Sequence, residues 1–300
     1  MRKSLQRPWS LQERWQSGLL GWLTRVLGSL PLSWLHALGA MIAWLVIRLP
    51  VRENRVARRN LELCFPQLTP EQRAPLHRAA LRSAAQGVLE LPWLWTRPLA
   101  QVMSKVRDIE GEQELHAALA EQRGVLIAAP HMGSWELLNL WLSQHCRLAV
   151  LYRAPNSSVL DQWLNQGRTR AGASTVRAQS DQIRNLVRHL RGGGAIGILP
   201  DQQPKRGEGE FAAFFGIEAL TMTLFPELVR RYHVPVVVAY AERLSQGRGW
   251  RLRLRRVEPA PAQVHALNQM IEAVARSLPE QYQWTYKRFS MRPEGQAKLY

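Results

Sequence analysis

The chain has 300 residues, 46% of them hydrophobic and 21% charged, with a formal net charge of +17. This composition excludes a disordered chain, and the length fits one large domain or two small ones. Lysine occurs only at Lys3, Lys105, Lys205, Lys287 and Lys298, so the cations are nearly all arginine, whose planar fork suits an anionic partner: nucleic acid, an acidic protein or an anionic lipid surface.

Met1 to Arg14 holds Arg2, Lys3 and Arg7 and no early apolar run, so no cleaved signal peptide is expected. From Leu32 to Ile47 no residue carries a formal charge. At about 1.5 Å per residue this stretch spans roughly 24 Å, less than the ~30 Å hydrocarbon core. A buried core helix is one reading. Trp22, Trp34 and Trp44, followed by Arg52, Arg55, Arg58 and Arg59, favour a membrane-associated helix that holds the rest of the chain on the cytoplasmic side. Residues 1–50 therefore read as an anchoring segment and 51–300 as one enzyme-sized domain.

Thr69-Pro70-Glu71-Gln72 is a capping box with proline at the first helical position, opening a helix to about Trp95. A second helix is expected over 112–122, closed by Arg123-Gly124. The apolar runs 125–130, 148–152, 195–200 and 234–240 read as strands buried on both faces. Helical patterns lie between them at 135–144, 158–171, 180–191 and 221–232. The alternation predicts an α/β fold with a mostly parallel central sheet flanked by helices. The segment 250–258 alternates Arg251, Arg253 and Arg255 with Leu252 and Leu254, as an edge or one-face-solvated strand does. Its arginines suit an acidic carrier protein or simply face water. Gly192-Gly193-Gly194 precedes a strand, so it reads as a helix end rather than a phosphate loop. Tyr282, Trp284 and Tyr286 alternate, with Phe289 behind them, as a strand or a packing face. Cys64 and Cys146 form no disulfide framework, and the eight histidines show no metal-ligand spacing.

His131-Met132-Gly133-Ser134-Trp135-Glu136 follows the run at 125–130 and opens a helix, at a strand end where α/β folds bind ligands. His131 lies on the turn and is expected to fold back onto Glu136. The carboxylate would fix the tautomer and leave the other ring nitrogen as general base. His116 and Glu121 have the same spacing inside one continuous helix, where they diverge by about 140°. The competing reading of His131 and Glu136 is a helix cap and a surface pair. A base with a carboxylate and no protein nucleophile suits attack of a hydroxyl on a thioester.

His131 to Glu136 resembles the H-x4-[DE] motif of glycerolipid-type acyltransferases. The wider chain resembles the lipid A biosynthesis acyltransferases, the late lauroyl and myristoyl transferases of Gram-negative bacteria. The likeness runs through Arg59-Asn60-Leu61, Phe65-Pro66, LYRAPN, ILPDQQP, FFGIEALTMT and PEQYQWTYKRFSMRPEG. It implies transfer of a fatty acyl chain from acyl carrier protein to a hydroxyl of a 3-hydroxyacyl chain on a lipid A precursor of the Kdo2-lipid IVA type. The implied setting is the inner membrane, with no cofactor, metal or nucleic acid. Ile-Leu-Pro-Asp-Gln at 198–202, in place of Phe-Pro-Glu-Gly, argues against a glycerolipid acceptor, although a lysophospholipid or another glycolipid would need the same chemistry.

Arg153, after the run at 148–152, is expected at the same sheet edge as His131, to bind an anionic group. Asp201 and Gln202 are placed there too, as substrate ligands or as a structural turn. One of Arg168 and Arg170 is expected to hold phosphate, Arg170 by preference, with a solvated helix end as the alternative. Lys205 and Arg206 belong to a glycine-rich loop that reads equally as a lid or as plain surface.

Overall fold

The computed structural model describes residues 10–178 and 180–300; Arg2, Lys3 and Arg7 lie outside the described residues. The chain opens with four helices: α1 (Leu11–Ser29), α2 (Leu32–Arg48), α3 (Arg52–Cys64) and α4 (Pro70–Thr96). The short α5 (Leu99–Met103) leads into β1 (Val106–Glu110), α6 (Glu112–Ala120), β2 (Val125–Ala128), α7 (Trp135–His145) and β3 (Leu148–Tyr152). Then come α8 (Ser158–Thr169), β4 (Ser174–Arg177), α9 (Ser180–Arg191) and β5 (Ala195–Ile198). A hairpin of β6 (Gly209–Phe214) and β7 (Ile217–Met222) precedes α10 (Leu224–Tyr232), β8 (Val236–Leu244), β9 (Gly249–Arg256) and α11 (Val264–Ser277).

Seven strands form one sheet in the order β1-β9-β8-β2-β5-β3-β4. Every neighbouring pair is parallel except β8 with β9. The fold is therefore α/β with a mostly parallel sheet flanked by helices. In β2, Leu126 and Ala128 pack into one apolar core and Val125 and Ile127 into the other, because successive side chains alternate across a strand. A strand sandwiched this way must be apolar throughout, and this accounts for the uninterrupted run.

Several elements differ from the sequence expectation. The segment 217–222 is a strand, and the helix expected from 221 begins at Leu224. The hairpin turns on Phe215 and Gly216, both at positive φ, the pattern of a two-residue type I′ turn. β9 alternates burial as expected, but β1 pairs along its outer side, so it is not an edge. There Arg251 meets Asp108 at 3.0 Å and Arg253 meets Glu242 at 2.9 Å. Those two arginines are neutralised within the sheet. The tail around Tyr282 forms no strand, yet Tyr282, Trp284 and Phe289 are buried, so the packing face holds.

Among the described residues no single helix is long and apolar enough to cross a membrane. The uncharged run of α2 is instead half of a pair with α1, bent by 116°. Both helices pack on α4. Gly28 and Gly39 permit the approach, since a Cβ there would overlap Thr96 and Gln86. The outer faces expose Leu11, Trp15, Leu19 and Trp22 on α1 and Trp34, Met41 and Trp44 on α2.

Candidate active site

β2, β5 and β3 are adjacent and parallel, so the residues following each strand gather at one sheet edge. Ala128 is in register with Ile198. His131 and Asp201 each lie three residues further on and therefore meet. The His131 ring Nδ1–H donates to Asp201 Oδ1 at 2.8 Å, and its backbone N–H donates to Asp201 Oδ2 at 2.9 Å. Burial pushes the Asp201 carboxyl up, but the neighbouring His131 ring and these hydrogen bonds outweigh it and hold the carboxyl below the ordinary carboxylate value. With Nδ1 carrying the proton, Nε2 keeps its lone pair, which accepts from Gln202 Nε2 at 3.2 Å. Gln202 also donates to Gln283 Oε1 at 3.1 Å, tying the site to the C-terminal tail.

The orienting carboxylate is thus Asp201, where Glu136 was expected. Glu136 lies in the first turn of α7, buried, and its Oε1 accepts from Arg168 Nε at 2.9 Å and Nη2 at 2.6 Å. Its Oε2 has no hydrogen-bond partner among the described residues. Burial disfavours the Arg168 cation, but Glu136 more than compensates, so Arg168 stays firmly charged. His131, Glu136, Arg168 and Gln202 line one cavity of about 200 Å³, with Arg153 exposed at its mouth. Arg153 makes no hydrogen bond or ion pair among the described residues. No group of three or more His, Cys, Asp or Glu is placed to hold a metal ion among the described residues.

Arg170 is not in this cavity. Its guanidinium donates to the Leu94 and Arg97 carbonyls, bracing the end of α8 against that of α4. Positions 168 and 170 are about 200° apart on a helix, so only one can face the sheet edge. The signal for Arg168 was the lone acidic residue in the apolar helix WELLNLWL, which once buried needs a cation. Lys205 and Arg206 are exposed and line no part of the cavity. His116 pairs with Glu112, and Glu121 with Arg123 and Arg256, so the second H-x4-E match brings nothing together.

The turn itself is fixed from below. Gly133 has φ +55°, and a Cβ there would sit 1.9 Å from the Ala241 carbonyl oxygen. Its N–H donates to Gln281 O at 3.0 Å, Ser134 N–H donates to Ala241 O at 2.9 Å, and Gln283 N–H donates to His131 O at 3.0 Å. The Asn60 side chain holds the tail by donating to the Trp284 and Tyr286 carbonyls, both at 2.7 Å. Burial pushes the Cys146 thiol up to about 12, and the Cys64 thiol also upward, so neither supplies a thiolate.

A second, apolar groove of about 360 Å³ runs between α2 and α4, lined by Ile42, Val46, Leu81, Ala84 and Val88. Trp135 lines both spaces and stands between them, its ring edge-on to His131 at 5.2 Å.

The model of the bacterial lipid A biosynthesis acyltransferase family matches residues 7–291. The chain is similar to the lipid A biosynthesis palmitoleoyltransferase of Escherichia coli strain K12, 28% identical over 90% of this chain and 95% of the relative. The lauroyltransferase of the same strain is 26% identical over 90% and 96%. The myristoyltransferase of that strain is 24% identical over 84% and 80%.

Proposed function

The chain belongs to the bacterial lipid A biosynthesis acyltransferase family and is an acyltransferase; on that premise we propose that it moves a fatty acyl chain from acyl carrier protein to a hydroxyl of a 3-hydroxyacyl chain on a lipid A precursor of the Kdo2-lipid IVA type. The observation that carries the mechanism is the His131 ring, held on Asp201 through Nδ1 with Nε2 turned to the cavity. The acceptor hydroxyl displaces the Gln202 amide from Nε2 and gives up its proton there. Its oxygen bonds to the thioester carbonyl carbon, the tetrahedral oxyanion collapses, the carbon–sulfur bond breaks and the thiolate leaves with the proton from the imidazolium. Asp201 stabilises the imidazolium between the two transfers. The Gln202 amide brings a donor to the cavity in which the oxyanion forms, and Arg168, its charge balanced by Glu136, lines the same cavity. Arg153 at the mouth receives an anionic group of donor or acceptor. The apolar groove takes the acyl chain, with the Trp135 ring at the junction.

The same reading puts the protein on the cytoplasmic face of the inner membrane. α1 and α2 lie on the surface with their tryptophans at headgroup depth, and the arginines of α3 meet anionic lipid. The test is purified protein given acyl carrier protein thioester and a lipid A precursor of the Kdo2-lipid IVA type. The expected result is thiol release with a product heavier by one acyl group, and a loss of roughly 10²- to 10⁴-fold in His131→Ala. Wild-type turnover in His131→Ala would overturn the mechanism. Acylation of a lysophospholipid in preference to the disaccharide would overturn the acceptor.

A further inference from the structure

Three buried charged or titratable residues outside the cavity converge beneath the Met132-Gly133-Ser134 turn. His36 lies in α2, Glu90 in α4 and Arg243 in β8, exposed by 2%, 0% and 6%. The tautomer of His36 is fixed by its surroundings. Gly247 N–H donates to Nδ1 at 3.1 Å, so the proton is on Nε2, which donates to Glu90 Oε1 at 2.6 Å. Arg243 grips the same carboxylate through Nε on Oε1 and through Nη2 on Oε2, the latter at 2.9 Å. Nη1 reaches Ser83 Oγ at 2.8 Å, and Nη2 also donates to the Gly133 carbonyl at 3.0 Å. The Arg243 main chain exchanges two 2.8 Å hydrogen bonds with the Gln281 side chain, while the Gln281 carbonyl accepts from Gly133 N–H. Both polar atoms of Gly133, two residues from His131, are thereby held by one assembly.

Burying an ion pair this deeply is a poor way to gain stability, because desolvation of two charges offsets their attraction. A defined geometry is the better account of its presence. We propose that Arg243, backed by Glu90 and His36, is a positioning residue for acyl transfer. It fixes the Gly133 peptide and, through it, the His131 ring, and it makes α2 part of the active-site support as well as an anchor. None of the three touches the cavity, so the group acts through the turn. A misplacement of about 1 Å at a reacting group is enough to cost on the order of a hundredfold in rate. This inference rests on the reading of His131 as the base.

The test uses full-length protein and single-turnover acyl transfer, with KM and melting temperature measured alongside. Arg243→Lys keeps a cation against Glu90 but cannot reach Glu90, Ser83 and Gly133 together. The expected result is a transfer rate at least tenfold lower with KM for the acceptor unchanged. Gly87→Ala is the gentler variant. Its Cβ would stand 3.2 Å from Arg243 Nη2, in the middle of α4, where alanine favours the helix. It should hold or raise the melting temperature while lowering the rate several-fold with short-chain and long-chain donors alike, which separates an effect on the turn from one on the groove that Gly87 also lines. His36→Leu should lower the rate with vesicle binding intact. The proposal is overturned if Arg243→Lys and Gly87→Ala both fold and transfer acyl groups at the wild-type rate. It is equally overturned if the rate loss merely follows melting temperature and recovers on cooling. A fully active His131→Ala would instead remove the base assignment, which separates the two failures.

Discussion

His131 and Asp201 are 70 positions apart and meet because Ala128 and Ile198 are paired in the sheet. The contact is set by strand register, which a slip of one residue would displace by about 3.3 Å and turn to the opposite face.

Asp201→Asn should keep the shape of the site while removing the negative charge and one of the two acceptors that meet the His131 backbone N–H and Nδ1–H. The single-turnover rate is expected to fall by roughly a hundredfold or more, with the melting temperature little changed. A rate within threefold of wild type would show that the carboxylate does not orient the base.

Glu136 and Arg168 form a pair that is mostly removed from water, with side chains 4% and 17% exposed. Breaking it from one side, in Glu136→Gln or Arg168→Met, should destabilise the fold by about 3 kcal/mol. The double variant Glu136→Leu with Arg168→Met should recover most of that stability in urea unfolding but none of the activity. Recovery of both would reduce the pair to packing.

Ala84→Trp places a large ring in the groove between α2 and α4. The product lipid should carry a shorter acyl chain than the wild-type product, read by mass spectrometry, with turnover of a short-chain donor preserved. An unchanged chain-length distribution would separate the groove from the acyl chain.

Trp15 and Leu19 are 79% and 59% exposed on one face of α1. Replacing both with serine should weaken co-sedimentation with anionic vesicles more than tenfold, since each buried apolar side chain contributes about 1.5–3 kcal/mol. Equal sedimentation of variant and wild type would put the membrane contact elsewhere.

Glu90 yields a pH dependence of stability. Burial raises its carboxyl, but Arg243 and His36 more than reverse this and bring it down to about 2 from an ordinary value of 4.5. A folded-state value below the unfolded one contributes stability that is complete above pH 4.5 and is lost as pH falls towards 2. Glu90→Gln should flatten the decline of unfolding free energy across that window; an identical acid limb would contradict the assignment.

Periodicity carried the sandwiched strands and the capped helix α4, since both leave local signals: an unbroken apolar run and a Thr-Pro-Glu-Gln start. It failed at β6 and β7, which carry polar and small residues over a hairpin whose turn uses Phe215 at positive φ. β1 was also missed, because Val106–Glu110 is largely exposed and shows little alternation. At the site, local spacing favoured Glu136 as the partner of His131. Register between β2 and β5 decided for Asp201, and register is not readable from either segment alone. Arg243 gave no signal at all: it lies far from the motif, and its role depends on three elements meeting.

Gly133 has a consequence for how this sequence can change. Its left-handed backbone and the Ala241 oxygen beneath it leave no volume for any side chain. Variation on either flank can therefore be explored one step at a time, whereas every route through position 133 crosses an inactive sequence. A saturation library over Met132 to Trp135, selected for growth that depends on this enzyme, should return survivors of several kinds at the other positions and glycine alone at 133.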